Sequence, residues 1–180
     1  MSKKKNNYLV ISAVGADRPG IVNDLSEIIL DHDCNIIDSR MIMLGGEFAV
    51  LLMISGNWNN VAKLEDKLTN LQKKLGLAIT HKRTEERHPK TNLVPYEVEV
   101  ITIDHPGIVF QLANFFSTRE INIEEVNTNS YSAPHTGTPM FSVNMVVDVP
   151  STVSIAALRE EFLDFCDEHN MDAAIETTKG

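Results

Sequence analysis

The stretch Asp17-Arg18-Pro19-Gly20-Ile21-Val22 decides how the chain folds, because it returns later as Asp104-His105-Pro106-Gly107-Ile108-Val109. The two copies lie 87 positions apart, which is 104 less 17. The match continues downstream at the same offset, where Asn35-Ile36 corresponds to Asn122-Ile123. Similarity at a fixed offset indicates one structural unit that occurs twice in tandem.

Each unit shows the same order of predicted strands and helices. A strand precedes the motif, and a helix follows it, since apolar residues recur there at helical spacing. In the first unit this stripe comprises Ile21, Val22, Leu25, Ile28 and Ile29. Residues 36–44 and 48–55 then predict two strands joined by a tight turn at Gly45-Gly46.

A second helix and a last strand complete each unit. In the first unit the second helical stripe comprises Val61, Leu64, Leu68, Leu71 and Leu75, and residues 77–80 predict the strand. In the second unit the corresponding stripe comprises Ile155, Leu158, Phe162 and Phe165, and residues 172–176 predict the strand.

The order strand, helix, strand, strand, helix, strand predicts an α+β fold of two tandem ferredoxin-like βαββαβ domains. Each is an antiparallel sheet with its helices on one face. Residues 84–92 carry many charges and no periodicity, which is typical of a linker. We therefore expect an N-terminal domain at 1–84, a linker at 85–94 and a C-terminal domain at 95–180.

The two sheets differ in the pattern of their central hairpin strand. Residues 48–54 are apolar at both parities, which predicts burial on both faces of the first sheet. In the second unit, residues 141–148 alternate between apolar and mostly polar side chains. This alternation predicts that one face of the second sheet is mostly in water.

The bulk composition argues against direct DNA binding. The 180 residues include 25 acidic and 16 basic ones, for a formal net charge of −9, and such a surface repels nucleic-acid phosphates. Hydrophobic residues make up 43%, which is enough to bury a core. The basic cluster Lys3 to Lys5 is interpreted as a solvated tail.

We expect a cytoplasmic protein. The basic leader and the apolar residues 9–16 imitate a signal peptide, but residues 96–103 are their counterpart in the second unit and read as a strand. No apolar run approaches the roughly 20 residues that cross a bilayer. Two cysteines, Cys34 and Cys166, are too few for a disulfide framework.

The turn from first strand to first helix is the candidate binding site. We expect Pro19 and Gly20 to lie in the first helical turn, where unpaired N–H groups and the helix dipole would suit the carboxylate of a small amino acid, or a phosphate. The alternative is that Asp17 and Asp104 are ordinary N-caps that occupy the same N–H groups. Arg18 could recognise ligand charge or be a solvated loop cation, and His105 replaces it in the second copy.

Other reactive groups give no indication of an enzyme. The six histidines and two cysteines form no metal-binding spacing, and we expect neither a metal nor a cofactor. Cys34 and Cys166 fit buried small hydrophobes. Residues 131–139 form a much longer loop than Gly45-Gly46 in the first unit, and this loop is either a passive excursion or a surface for docking a partner.

The motifs together resemble a known family. The residues that carry the resemblance are Tyr8-Leu9-Val10-Ile11, Gly15-Ala16-Asp17-Arg18-Pro19-Gly20-Ile21-Val22, Cys34-Asn35-Ile36, Asp38-Ser39-Arg40 and Met43-Leu44-Gly45. They are similar to the bacterial transcriptional repressors of the glycine cleavage system, which are tandem ACT-domain proteins. The resemblance covers nearly the whole chain and is closest in the first unit.

The resemblance implies a function and a site. It implies binding of a small amino acid, with glycine as the expected effector, and repression through a partner transcription activator. It places the ligand where one module's strand-to-helix loop meets a neighbouring module's second strand. The residues implied are Asp17, Arg18, Pro19, Gly20, Ile21 and Asn35, and then Asp104, His105, Pro106, Gly107, Ile108 and Asn122. The alternative function is a free-standing amino-acid sensor that regulates a metabolic enzyme.

Overall fold

The computed structural model describes residues 6–88 and 91–178 of the chain. The basic cluster Lys3 to Lys5 lies outside the described residues, as do positions 89 and 90 of the predicted linker. The chain divides into two compact units, Met1–His88 and Pro89–Gly180.

The two units contain the same elements in the same order, as predicted. In the first unit these are β1 (Asn7–Ala16), α1 (Ile21–Asp31), β2 (Asn35–Leu44), β3 (Glu47–Gly56), α2 (Trp58–Leu75) and β4 (Ala78–Thr84). In the second they are β5 (Leu93–Ile103), α3 (Ile108–Ser117), β6 (Asn122–Ser132), β7 (Pro139–Pro150), α4 (Ile155–Glu168) and β8 (Asp172–Thr177). The predicted linker 85–94 overlaps β5 at Leu93 and Val94, and the predicted domain limits stay a prediction.

Each unit is one antiparallel four-stranded sheet. The strand order is β2-β3-β1-β4 in the first unit and β6-β7-β5-β8 in the second. The register shifts between Ile36 and Asp38, and again between Ile123 and Glu125. These two bulges lie 87 positions apart, like the sequence motifs, so the predicted ferredoxin-like fold and its duplication are confirmed.

Each unit has its own apolar core between the sheet and the two helices. In α1 the predicted stripe is confirmed at Ile21, Leu25 and Ile29, which are at most 3% exposed, and Ile28 is partly buried. The prediction that Val22 belongs to the buried stripe is wrong, because this residue lies at the margin of the stripe and is 43% exposed. The helix α2 buries Val61, Leu64, Leu68 and Leu71 as predicted.

The helices begin in two different ways. The side chain of Asn57 accepts a hydrogen bond from the Asn60 N–H at 2.9 Å and caps α2, and Ser154 caps α4 in the same way through the Ala157 N–H. The helices α1 and α3 instead have Gly20 and Gly107 as their N-cap residues, directly before the first helical residue. The start of α2 also carries Trp58, which is 60% exposed and lies beside the Arg83 guanidinium.

The predicted burial of β3 on both faces is wrong. Val50, Leu52 and Ile54 point toward the helices and are buried, whereas Leu51, on the opposite face, is 51% exposed. The reason is that both helices of a unit lie on the same side of the sheet, so only one parity of an apolar strand is covered. In β7 the predicted alternation holds, except that Asp148 is buried.

The hairpin turns also differ between the units. Gly45 has a φ of 63°, which tight two-residue turns require and which glycine adopts without strain. The predicted turn is therefore confirmed. The β6–β7 hairpin instead closes through residues 133–138. Among the described residues, no helix has the length and apolar character needed to span a bilayer.

Candidate functional site

The predicted loop of the first unit leads directly from β1 into α1. The helix begins at Ile21, so Pro19 and Gly20 precede it, and their predicted place in the first helical turn is wrong. Pro106 and Gly107 likewise precede α3, which begins at Ile108. The physical reason is the left-handed backbone of both glycines, with φ of 90° and 98°, which cannot continue a right-handed helix.

The alternative that Asp17 and Asp104 are helix N-caps is also wrong. Among the described residues, no side chain makes a capping hydrogen bond at the start of α1 or α3. The carboxylate of Asp104 accepts a hydrogen bond from the Ser130 hydroxyl at 2.9 Å instead. The N–H groups of both helix starts are therefore not occupied by the acidic side chains that could have competed with a ligand.

Arg18 is held in place by the first turn of α1. Its Nη2 lies 2.7 Å from Oδ2 of Asp24, and its Nη1 donates to the Pro19 carbonyl at 3.3 Å. Arg18 remains 42% exposed. It is a positioned cation rather than a freely solvated one, and its guanidinium lies close to Gly20.

The second unit lacks this ion pair. His105 stands in place of Arg18, and its Nδ1 lies 3.1 Å from the Pro106 carbonyl. At the offset of 87, Gln111 stands in place of Asp24. The Gln111 Oε1 is buried and has no hydrogen-bond partner within the described part of the chain. The two helix starts therefore share their backbone geometry and differ in their charge.

Ile21 and Ile108 anchor the helix starts from the inside. Their side chains are 3% and 2% exposed, respectively, and belong to the two cores. They can offer a ligand their backbone N–H groups. Their side chains serve to fix the loop on the sheet.

Asn35 and Asn122 lie far from the loops of their own units. Asn35 pairs with Ser55 of β3, whereas Ala16, at the loop, pairs with Glu47. Eight residues of extended strand separate Glu47 from Ser55, which is about 27 Å. Asn122 starts β6 in the same way. The loop and the asparagine of one unit therefore do not lie together.

The long loop of the second unit is tied to the predicted site. The Ala133 N–H donates to the Thr138 carbonyl at 2.9 Å, so residues 133–138 form an ordered hairpin end. The Asp104 N–H donates to the Pro139 carbonyl at 3.0 Å. Sequence reasoning noted the loop but missed this connection, since no local pattern indicates a contact between positions 35 residues apart.

Both cysteines are buried, as predicted. Burial raises the pKa of the Cys166 thiol to about 12, and the nearby Asp167 acts in the same direction. Burial, helped by Asp33, also raises the pKa of Cys34. Both shifts disfavour the thiolate, so neither side chain is an activated nucleophile. Within residues 6–88 and 91–178, no three His, Cys, Asp or Glu side chains are grouped so that they could hold a metal ion.

Two hollows lie on the sheet faces that point away from the helices. The one in the first unit has a volume of about 100 Å³ and is bordered by Val10, Arg40 and Leu51. The one in the second unit is about 300 Å³ and is bordered by Glu97, Glu99, Glu125 and Glu176. Sequence reasoning predicted a wet face there but did not single out these glutamates. The sequence pattern that could have indicated them is the alternation of side chains between the two sheet faces on β5, β6 and β8.

Comparisons with known proteins give the following likenesses. The ACT domain family matches residues 7–82. The glycine cleavage system transcriptional repressor of Escherichia coli (strain K12) is 31% identical over 175 residues, which cover 97% of this chain and 92% of that protein. A crystal structure assigned as a glycine cleavage system transcriptional repressor is 31% identical, with a TM-score of 0.72 over 97% of this chain and 99% of that chain.

A third likeness concerns the fold of both units. The crystal structure of an unknown protein from Galdieria sulphuraria has a TM-score of 0.80 at 26% identity, and the match covers 97% of this chain and 100% of that chain.

Proposed function

Since the chain belongs to the family of glycine cleavage system transcriptional repressors and is built from two ACT domains, we propose that it is an amino-acid-responsive repressor acting through a protein partner. The relatives matched over nearly their whole length at 31% identity are named transcriptional repressors, and the chain is a regulatory protein. The observation that carries the proposal is that a glycine is the N-cap residue of both α1 and α3, and that no described side chain makes a capping hydrogen bond there.

The proposed effector is a small amino acid, with glycine as the first choice. Its carboxylate would accept hydrogen bonds from the open N–H groups at the start of α1, and the helix dipole would add about 0.3–1 kcal/mol. Arg18 would lie beside that carboxylate because Asp24 holds it there. Asp17, Pro19, Gly20 and Ile21 shape the loop.

The rest of the proposed site comes from another module. Asn35 would be supplied by a neighbouring module, because it lies at the far end of its own sheet. The second proposed set comprises Asp104, His105, Pro106, Gly107, Ile108 and Asn122. It offers the same backbone donors without the arginine, so we expect the first set to bind more tightly.

Calorimetric titration tests the effector. The full chain is titrated with glycine, serine and alanine, and we expect heat of binding with glycine. Arg18→Ala should weaken the affinity for glycine by about tenfold. Arg83→Ala is the matched control, because Arg83 is also a partly exposed cation paired with a carboxylate and lies on β4, outside the proposed site. Absence of heat with all three amino acids would remove the effector from the proposal.

The proposed partner is a DNA-binding transcription activator in the cytoplasm. The net charge of −9 argues that this chain does not approach DNA itself. Affinity capture with the full chain, followed by identification of the bound proteins, should recover such an activator. Recovery of a metabolic enzyme would favour the alternative sensor function. A gel shift with the purified chain alone, at moderate salt, should show no complex with DNA.

The long loop of the second unit is proposed to contact the partner. Replacing residues 133–138 with Gly-Gly, as in the first unit, should leave the fold intact, since the loop ends a hairpin whose strands are already paired. We expect weaker binding of the activator. Unchanged affinity would mean that the loop is a passive excursion.

A further inference from the structure

The outward face of the second sheet is a surface with a distinct chemistry. Val98, Val100 and Met145 point toward the helices and are buried. Their neighbours along the strands point the other way and border the hollow of about 300 Å³. We call this surface the acidic face, and its defining residues are Glu97, Glu99, Glu125, Glu176, Asn144 and Val146.

The acidic face carries negative charge that its own fold does not neutralise. Glu97 of β5 lies directly opposite Glu176 of β8, and like charges in that arrangement destabilise a sheet. Glu125 lies in the same row, with Val146 between it and Glu97. In the part of the chain that the structure describes, none of the four glutamates forms an ion pair.

The corresponding face of the first unit is different. Leu51 and Val14 are 51% and 40% exposed there, and the charged residues Asp38 and Arg40 pair with each other. Both sheets have the same topology, so the contrast does not follow from the fold. The negative charge is a property of the second unit alone.

The acidic face ends in an apolar row beside the loop at 133–138. Ile103 of β5 pairs with Met140 of β7, which pairs in turn with Tyr131 of β6. Ile103 is 60% exposed and Tyr131 is 37% exposed. Protein interfaces typically combine an apolar or aromatic anchor with a polar rim, and this face contains both.

We propose that the acidic face docks a basic surface of the protein partner, which places an apolar side chain on the row of Ile103, Met140 and Tyr131. This inference rests on the proposed function, because it assigns that partner a place on the chain. Charge complementarity selects the occupant. A second copy of this chain carries a net charge of −9, and DNA is a polyanion, so both are repelled. A DNA-binding activator carries clustered lysines and arginines.

The test uses the full chain and the purified activator recovered by affinity capture. The quadruple variant Glu97→Gln, Glu99→Gln, Glu125→Gln and Glu176→Gln should bind the activator at least about tenfold more weakly. The affinity of the wild-type chain should fall as salt rises, and that of the variant should fall much less. The variant should fold, because it removes the repulsion between Glu97 and Glu176.

The matched control changes four exposed carboxylates of the second unit that lie on a helix. Glu160→Gln, Asp164→Asn, Asp167→Asn and Glu168→Gln on α4 raise the net charge by the same four units. This control should bind as the wild-type chain does. A similar loss in both variants would mean that only net charge matters, and it would overturn the proposal.

Two further outcomes separate this inference from the proposed function. If the wild-type chain binds the activator and the quadruple variant binds it equally, the docking surface is wrong and the proposed function stands. If the wild-type chain recovers no activator, the proposed function is wrong, and the inference is wrong as well because it depends on that function. The wild-type chain and the quadruple variant should sediment alike. A change in self-association would identify a second copy of the chain as the occupant and would overturn the proposal.

Discussion

At the scale of single residues, two glycines set the geometry of both helix starts. Gly20 has a φ of 90°, and a Cβ there would meet only the end of the Arg18 side chain, at 3.8 Å. A larger residue is therefore opposed by backbone strain rather than by crowding.

Gly20→Ala should lower the free energy of unfolding by about 1–3 kcal/mol, because alanine is strained in this conformation. Gly107→Ala should do the same, since its φ is 98° and nothing lies near its Cβ position. Urea denaturation measures both. Gly46→Ala is the control, because Gly46 has open space around it and no positive φ. Equal losses at Gly20 and Gly46 would contradict the role of left-handed backbone.

Cys34 and Cys166 should resist alkylation in the folded chain. Burial raises the pKa of both thiols, that of Cys166 to about 12, so little thiolate exists at about pH 8. Mass spectrometry after exposure to iodoacetamide should find both residues unmodified. The same treatment in denaturant should modify both, and rapid labelling of the folded chain would show that the sites open locally.

At the scale of elements, a bidentate ion pair joins α2 to β4. The Arg83 Nε and Nη2 donate to the two carboxylate oxygens of Glu65, and the shortest contact is 2.7 Å. These hydrogen bonds hold the pKa of Glu65 below its ordinary value of 4.5. Because the folded pKa is the lower one, the pair stabilises the fold above about pH 4.5, and the stabilisation is lost as the pH falls through the folded pKa.

Arg83→Gln should therefore reduce stability at neutral pH, and the difference from the wild-type chain should shrink in acid. Urea denaturation followed by circular dichroism at neutral and acidic pH measures this. Arg40→Gln is the control, because Arg40 and Asp38 are both at least 60% exposed and contribute little. A difference for Arg83→Gln that persists below the folded pKa of Glu65 would show that packing against Trp58 matters more than the ion pair.

At the scale of the whole molecule, the two units have separate cores. Leu64 and Leu112 are both fully buried, one in each core. Leu64→Ala and Leu112→Ala should each cost about 2–5 kcal/mol in their own unit. Hydrogen exchange measured on peptides of each unit should show faster exchange only in the unit that carries the change. Equal acceleration in both units by either variant would mean that they unfold together.

Much of the fold could be predicted because the pattern occurs twice. Helical stripes such as Leu64 to Leu71 repeat at regular spacing, and strands such as residues 141–147 alternate. The error at β3 came from a limit of such patterns. The sequence shows that Leu51 is apolar, but whether another layer covers Leu51 depends on which side of the sheet the helices lie. Val22 failed for a similar reason, since it lies at the margin of its stripe.

The site was predicted less completely. The motif located both loops, but Asp-x-Pro-Gly fits either an aspartate cap or a left-handed glycine, and only backbone angles distinguish them. The pair of Arg18 with Asp24 was also missed, although the two lie only six positions apart. Gln111 and the tether of Asp104 to Pro139 depend on tertiary contacts, which leave no local pattern.

Trp58 is the only tryptophan of the chain, and it lies in the first unit on the surface beside Arg83. The protein thus contains its own fluorophore, confined to one half. Its emission reports on events in the first unit. The second unit contains tyrosine and phenylalanine but no tryptophan, so it contributes no tryptophan fluorescence. Trp58 follows the end of β3 at which Asn35 pairs with Ser55, so an effector that contacts Asn35 would change the natural fluorescence, with no label attached.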